Sequence, residues 1–214
     1  NGRLVTLNGS QLIPFDGAPN EIKKTEVFNG ELWVISASGV DSFDGENWKN
    51  ISPGEFTDFC MHLNQVHVAS RDAIYVHDAG TLTNIEPEGG YLSSDVTMLM
   101  EDGTQVLADP VRLGPITAIA SYSGTLHVLR PGKLVQLSGR VVNEHLIDWG
   151  NLPSTNTYDL LSQGSRLFIS TDRGLGVLRG ASLQQIKGAD GLPVEDTREL
   201  AQGFGRDIWI GTSR

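Results

Sequence analysis

The sequence predicts an all-β protein, a β-propeller of four-stranded antiparallel blades, and three observations carry that prediction. First, short runs alternate apolar and polar residues: Glu31-Leu32-Trp33-Val34-Ile35, Gln65-Val66-His67-Val68, Thr125-Leu126-His127-Val128-Leu129, Arg166-Leu167-Phe168-Ile169 and Asp207-Ile208-Trp209-Ile210. Period-two alternation bounded by turn residues is the signature of strands joined by hairpins. Second, long helical patterns are missing, and 25 glycines are spread along the 214 residues. Third, the runs are copies of one another. Aligned on Leu32, Val66, Leu126, Leu167 and Ile208 they are spaced by 34, 60, 41 and 41 residues, against a blade repeat of about 40–50.

The elements follow in order. Gly2–Gly9 matches Gly132–Gly139 position for position, so the chain opens on the third strand of a blade and its turn. Residues 24–52 form the first complete unit, with Asp44-Gly45 between its third and fourth strands, a pair that favours a tight primed turn. Residues 56–86 form the second. Residues 88–113 are an insertion in which Val96–Met100 and Gln105–Ala108 read as an additional hairpin. The units at 115–147 and 156–187 follow; in the latter the strands are Tyr158–Leu161, Leu167–Ser170, Leu175–Leu178 and Leu183–Ile186. The C-terminal Ile208–Arg214 is a second strand and the start of its loop.

The two half-units complement each other. The expectation is therefore one domain over residues 1–214, a five-bladed ring closed by N-terminal third and fourth strands pairing with C-terminal first and second strands. Such sharing removes open sheet edges. The alternative is a fragment of a seven- or eight-bladed propeller.

Composition narrows the function. With Lys+Arg 16 against Asp+Glu 26, the net charge is −10, which disfavours nucleic acid and anionic membrane as partners. No apolar run approaches the roughly 18 residues of a membrane span. One cysteine, Cys60, flanked by Phe59 and Met61, leaves no intrachain disulfide and reads as a buried thiol.

No Gly-x-Ser-x-Gly elbow, His-Glu-x-x-His pair or phosphate-cradling loop occurs, so no catalytic residue, metal ligand or cofactor is assigned. His67 and His127 stand where other units carry Trp33, Phe168 and Trp209, and so read as packing residues. Asp41, Asp44 and Glu46 crowd one hairpin, but Phe43 breaks the alternation that a calcium loop requires.

One pattern points to a ligand. The loops between second and third strands and those between blades share one face of a propeller. The former supply Arg71, Arg130, Arg173 and Arg214; the latter supply Asp16, Asp148, Trp149, Asn151 and Asp190. Guanidinium forks suit carboxylates and sulfates, and an aromatic platform beside carboxylates and amides suits a sugar. Local pairing of each arginine with acids such as Asp72 and Asp172 is the competing account. The ligand-binding candidates are thus Arg71, Arg130, Arg173, Arg214, Trp149, Asp148 and Asp190.

Asp190-Gly191-Leu192-Pro193 followed by Gly205-Arg206-Asp207-Ile208-Trp209-Ile210-Gly211-Thr212 resembles the two-component-regulator propeller repeat. Asn151-Leu152-Pro153 with Leu167–Thr171 and Gly174-Leu175 is a second copy. The likeness is good over residues 150–214 and degenerate before. It implies a propeller in an extracytoplasmic sensor region, periplasmic or extracellular, often sensing saccharides in signal transduction. Its motif residues are structural, so it speaks for the fold more than for the function. Three functions stay open: a non-enzymatic domain binding a small polar ligand, a saccharide or a partner protein; a propeller lyase or glycoside hydrolase; and an interaction scaffold.

Overall fold

The structure is a computed structural model that describes residues 2–87, 90–93, 97–99, 105–107, 113–139, 141–144 and 152–213. Strands β1 (Val5–Asn8) and β2 (Gln11–Pro14) form an antiparallel hairpin. The first blade is β3 (Lys24–Phe28), β4 (Glu31–Ile35), β5 (Gly39–Phe43) and β6 (Trp48–Pro53); the second is β7 (Asp58–His62), β8 (Gln65–Ala69), β9 (Ile74–Asp78) and β10 (Thr81–Asn84). Next come β11 (Leu92–Ser93), then β12 (Thr97–Leu99) paired with β13 (Gln105–Leu107). The third blade is β14 (Ala118–Tyr122), β15 (Thr125–Arg130), β16 (Lys133–Ser138) and β17 (Val141–Glu144); the fourth is β18 (Thr157–Gln163), β19 (Arg166–Thr171), β20 (Gly174–Arg179) and β21 (Ser182–Ile186). The chain finishes with the antiparallel pair β22 (Thr197–Gln202) and β23 (Ile208–Thr212).

Each complete blade is an antiparallel meander in sequence order, as the repeat predicts. Alternation gives the sheets of the four complete blades apolar faces that are buried against neighbouring blades. Phe28, Trp33, Ile35, Phe59 and Val68 fill the space between the first and second blades. Ala69, Ile74, Ile116, Ile119 and Val128 do so between the second and third. Leu129, Leu134, Leu160, Ile169 and Leu178 join the third to the fourth, and Phe168, Leu175, Val177 and Leu200 join the fourth to β22–β23.

The repeated aromatic or imidazole slot behaves as read from the sequence. Trp33, His67, His127 and Phe168 are all buried, with His127 at 0% exposure, whereas Trp209 is 69% exposed. His127 is held by Gln136, whose Nε2 lies 3.2 Å from its Nε2, and by an edge-to-face contact with Tyr122.

Three details differ from expectation. The half-blades do not pair: β1–β2 and β22–β23 are separate two-stranded sheets. The N-terminal hairpin is anchored on the first blade, where Phe15 packs edge-on against Phe43 and Trp48 and the Ile22 amide donates to the Gly2 carbonyl at 2.9 Å. Val5, Leu7, Leu12 and Trp209 are left exposed.

Second, Asp44-Gly45 is not a two-residue primed turn. Phe43 pairs with Trp48, and the Asp44 carboxylate accepts the amides of Glu46 and Asn47 at 2.8 and 2.7 Å, closing a four-residue loop. Two-residue turns with both residues at positive φ occur instead at Asn29-Gly30, Leu63-Asn64, Ala79-Gly80 and Ser123-Gly124.

Third, the insertion contributes more than a hairpin, because β11 adds a parallel fifth strand to the outer edge of β17. Among the described residues no helix is long and apolar enough to cross a membrane.

Candidate functional site

The first strands of the blades stand side by side around the axis: β7 beside β14, β14 beside β18, β18 beside β22. With β3 they line an axial cavity of about 640 Å³. Register with the second strands places one residue of each inner strand at a common level. Lys24 faces Ile35, Asp58 faces Ala69, Ala118 faces Leu129 and Glu199 faces Gly211, while Asp159 holds the level in β18 beside its bulge. A ring position thus carries Lys, Asp, Ala, Asp and Glu.

These side chains form one electrostatic cluster. The Lys24 ammonium is ion-paired with Asp58 and lies 3.2 Å from Asp159 Oδ1. Each aspartate also binds the next blade in the same way: the Ile119 amide donates to Asp58 Oδ2 and the Leu200 amide to Asp159 Oδ2, both at 2.7 Å. Their other oxygens accept the amides of Phe59 and Leu160. The aspartates are therefore blade-to-blade ties as well as counter-ions, which is how carboxylates with 1% and 6% side-chain exposure are kept satisfied.

Burial works against the Lys24 charge, but the two aspartates outweigh it and hold the ammonium well above the ordinary lysine range. Burial raises Asp58 to about 6 despite the pull of Lys24. Glu26, on the cavity wall, is pushed up to about 7, first by burial and then by the charges of Asp58 and Asp159, with Lys24 opposing. Glu26 is nonetheless an exposed residue of β3. Glu199 is raised by burial and by Asp159. Cys60 also lines the cavity as a half-buried thiol that burial pushes up.

Sequence reasoning missed this cluster. Lys24, Asp58, Asp159 and Glu199 lie at equivalent positions of different repeats, so an alignment on the inner strands, rather than the second strands, carries the signal.

The sequence-predicted residues fall elsewhere. Arg71 and Arg173 are exposed in the loops after β8 and β19, and Arg130 is half-buried at the end of β15. Their backbones fasten blade to blade: the Ile116 amide donates to the Arg71 carbonyl at 2.7 Å, and Thr157 Oγ1 to the Arg130 carbonyl at 3.4 Å.

Among the described residues none of the three guanidinium groups is in an ion pair. The Arg130 Nε is buried without a hydrogen-bond partner there. Asp172 is held below the usual carboxylate range by Asn156 and Ser154 first, with Arg173 adding its charge. Asp190 is exposed, and its carboxylate accepts the Lys187 amide at 3.0 Å to shape a short turn. Asp16 offers its carbonyl to Trp48 Nε1. Arg214, Trp149, Asp148 and Asn151 lie outside the described residues.

His62 and His67 meet edge to face at 5.2 Å, and His62 Nδ1 lies 2.9 Å from Ser121 Oγ. Burial lowers both imidazoles, so they are neutral at pH 7.

No family model and no curated protein matches the chain. Solved structures do match its fold. The extracellular domain of one hybrid two-component system of B. thetaiotaomicron superposes with a TM-score of 0.66 at 14% identity, over 95% of this chain and 28% of that domain. A second such domain from the same organism gives 0.60 at 13% identity, over 95% of this chain and 27% of that one. PorZ, a surface component of the type-IX secretion system of Porphyromonas gingivalis, gives 0.53 at 10% identity, over 89% of this chain and 23% of its own. The chain thus spans under a third of each of these three structures and shares with them the β-propeller fold.

Proposed function

We propose that this chain is a non-enzymatic recognition propeller of the extracellular sensor type, binding a small polar ligand such as an acidic saccharide on the face that carries the loops after the second strands. The observation that carries the reading is an arginine at or just beyond the end of the second strand in three successive blades, Arg71, Arg130 and Arg173, with no ion-pair partner among the described residues. Guanidinium groups not committed to protein carboxylates are free to hold a carboxylate or sulfate bidentately. The fold likeness to extracellular domains of two-component systems supports the same role and an extracytoplasmic location.

The test is thermal unfolding against neutral and acidic oligosaccharides, since a ligand of the native state alone raises the midpoint. An acidic sugar is expected to raise it, and Arg71→Ala with Arg173→Ala to abolish the rise without lowering the ligand-free midpoint. An unchanged response in the double variant would remove the arginine site. A protein partner is the second reading, favoured by exposed Leu7, Leu12 and Trp209.

A further inference from the structure

The end strands of the chain carry a match that the chain does not use. Gly2–Gly9 repeats Gly132–Gly139, which holds β16 and its turn, and β23 repeats β15. In the third blade β15 and β16 pair antiparallel, with Leu126 opposite Leu137, His127 opposite Gln136, Val128 opposite Val135 and Leu129 opposite Leu134. Transferred to the end strands, that register sets Ile208 opposite Leu7, Trp209 opposite Thr6, Ile210 opposite Val5 and Gly211 opposite Leu4. Ile208 and Ile210 then meet Leu7 and Val5 on one face, and matched apolar pairs of this kind pin the register.

Both strands are open to such a partner. Among the described residues β1 pairs only with β2 and β23 only with β22, and an isolated two-stranded sheet is marginal in water. Neither edge carries the charge or proline that blunts an exposed strand: β1 reads Val-Thr-Leu-Asn and β23 Ile-Trp-Ile-Gly-Thr. Val5 and Leu7 are exposed. Trp33, His67, His127 and Phe168 are buried on second strands that have a third strand beside them, whereas exposed Trp209 lies on β23, which has none among the described residues. Within one chain the match is not made, because Phe15 packs on Phe43 and Trp48 and holds the N-terminal hairpin against the first blade.

We propose that a second copy of the chain makes the match: β23 of one copy lies antiparallel to β1 of the other, completing a blade in the order β22–β23–β1–β2. Each copy has one edge of each kind, so two copies exchange them reciprocally and a two-fold dimer leaves neither open. An arbitrary extended peptide would satisfy the edge amides but lacks the register that β1 shares with β16.

Sedimentation over a concentration series tests the pairing. A dimer that dissociates on dilution is expected, and Val5→Lys with Leu7→Lys should give the mass of one chain throughout. Both positions are exposed, so the variant should keep the wild-type strand content by circular dichroism.

A second readout fixes the register. Directly opposed residues of an antiparallel pair stand about 4.5–5.5 Å apart at Cα, within disulfide reach. Thr6→Cys mixed with Trp209→Cys should therefore yield, on oxidation, a disulfide between positions 6 and 209 of different chains, identified by peptide mass. Thr6→Cys mixed with Phe204→Cys, in the turn between β22 and β23, should not. Cys60 is common to all these proteins, and each variant mixed with wild type controls for it.

The mass of one chain at every concentration, a dimer that persists in the lysine variant, or no disulfide between positions 6 and 209 would each overturn the proposal. So would that disulfide forming only within single chains of the Thr6→Cys, Trp209→Cys protein, which would place closure inside the chain. The pairing stands apart from the ligand site on the loop face. A monomer that responds to acidic sugars overturns the first and leaves the second, and a dimer that ignores them does the reverse.

Discussion

The Lys24 ammonium stands between Asp58 and Asp159, ion-paired with the first and 3.2 Å from the second, so a single side chain of the first blade ties the inner strands of the second and fourth. Removing one partner of such a group leaves the others buried and uncompensated. Lys24→Met is expected to destabilise the domain by about 3–5 kcal/mol, measured by urea unfolding. Adding Asp58→Asn and Asp159→Asn should recover only part of the loss, because each amide keeps a single acceptor oxygen where the carboxylate served two backbone N–H groups. A cost under about 1 kcal/mol for Lys24→Met would show that water already screens the cluster.

Glu26 and Asp58 withdraw stability as pH rises through the acid-to-neutral range, while the lowered imidazoles of His62, His67 and His77 add it. Glu26 goes from the ordinary 4.5 to about 7 on folding and Asp58 from 3.8 to about 6, so between those limits the folded state holds more protons than the unfolded. Their contribution to the slope of unfolding free energy with pH is then negative. Relative to Glu26→Gln, which resembles the protonated acid at every pH, the wild-type melting midpoint is expected to lose ground from pH 5 to pH 8. Parallel curves for the two proteins would remove Glu26 as a source.

Tyr122 links the third blade to two turns of the fourth: its hydroxyl donates to the Ser165 carbonyl at 3.2 Å and accepts the Gly180 amide at 3.0 Å. Tyr122→Phe keeps the ring packing against His127 and removes both bonds. The expected cost is about 1 kcal/mol, since both partners lie at exposed turns where water substitutes. Equilibrium unfolding resolves this, and a cost above about 3 kcal/mol would mean that the turns are sealed from solvent.

Leu63 adopts φ 48° in the turn between β7 and β8 and is 76% exposed. A branched side chain is strained in the left-handed region, while Asn is tolerated there. Leu63→Asn is expected to stabilise by about 0.5–1 kcal/mol, read as a raised denaturant midpoint with unchanged slope. A lowered midpoint would show that the exposed leucine makes a contact worth more than the strain.

The legible part of the molecule was local. Strand β4 is the run Glu31–Ile35, and the four complete blades fall within the predicted units, because alternation and turn chemistry act over a few residues. The packing role of His67 and His127 was legible for the same reason, since a repeat slot occupied by aromatics elsewhere declares its surroundings. The Asp44 loop was misread because its side chain competes for backbone amides, closing a wider loop than Asp-Gly suggests.

Closure of the ring was not legible. Gly2–Gly9 and Ile208–Thr212 have the composition of complementary half-blades, but the Phe15–Phe43–Trp48 contacts hold the N-terminal hairpin against the first blade, apart from β23. The axial cluster was hidden for another reason. Lys24 and Asp159 are 135 residues apart and meet only because repeated strands converge on an axis. The sequence by itself determined the blades, their order and the apolar faces between them, since each depends on short-range periodicity. Only the tertiary structure decided which charges share the channel and which strand edges stay unpaired. Both depend on the rotation from blade to blade, which no single repeat encodes.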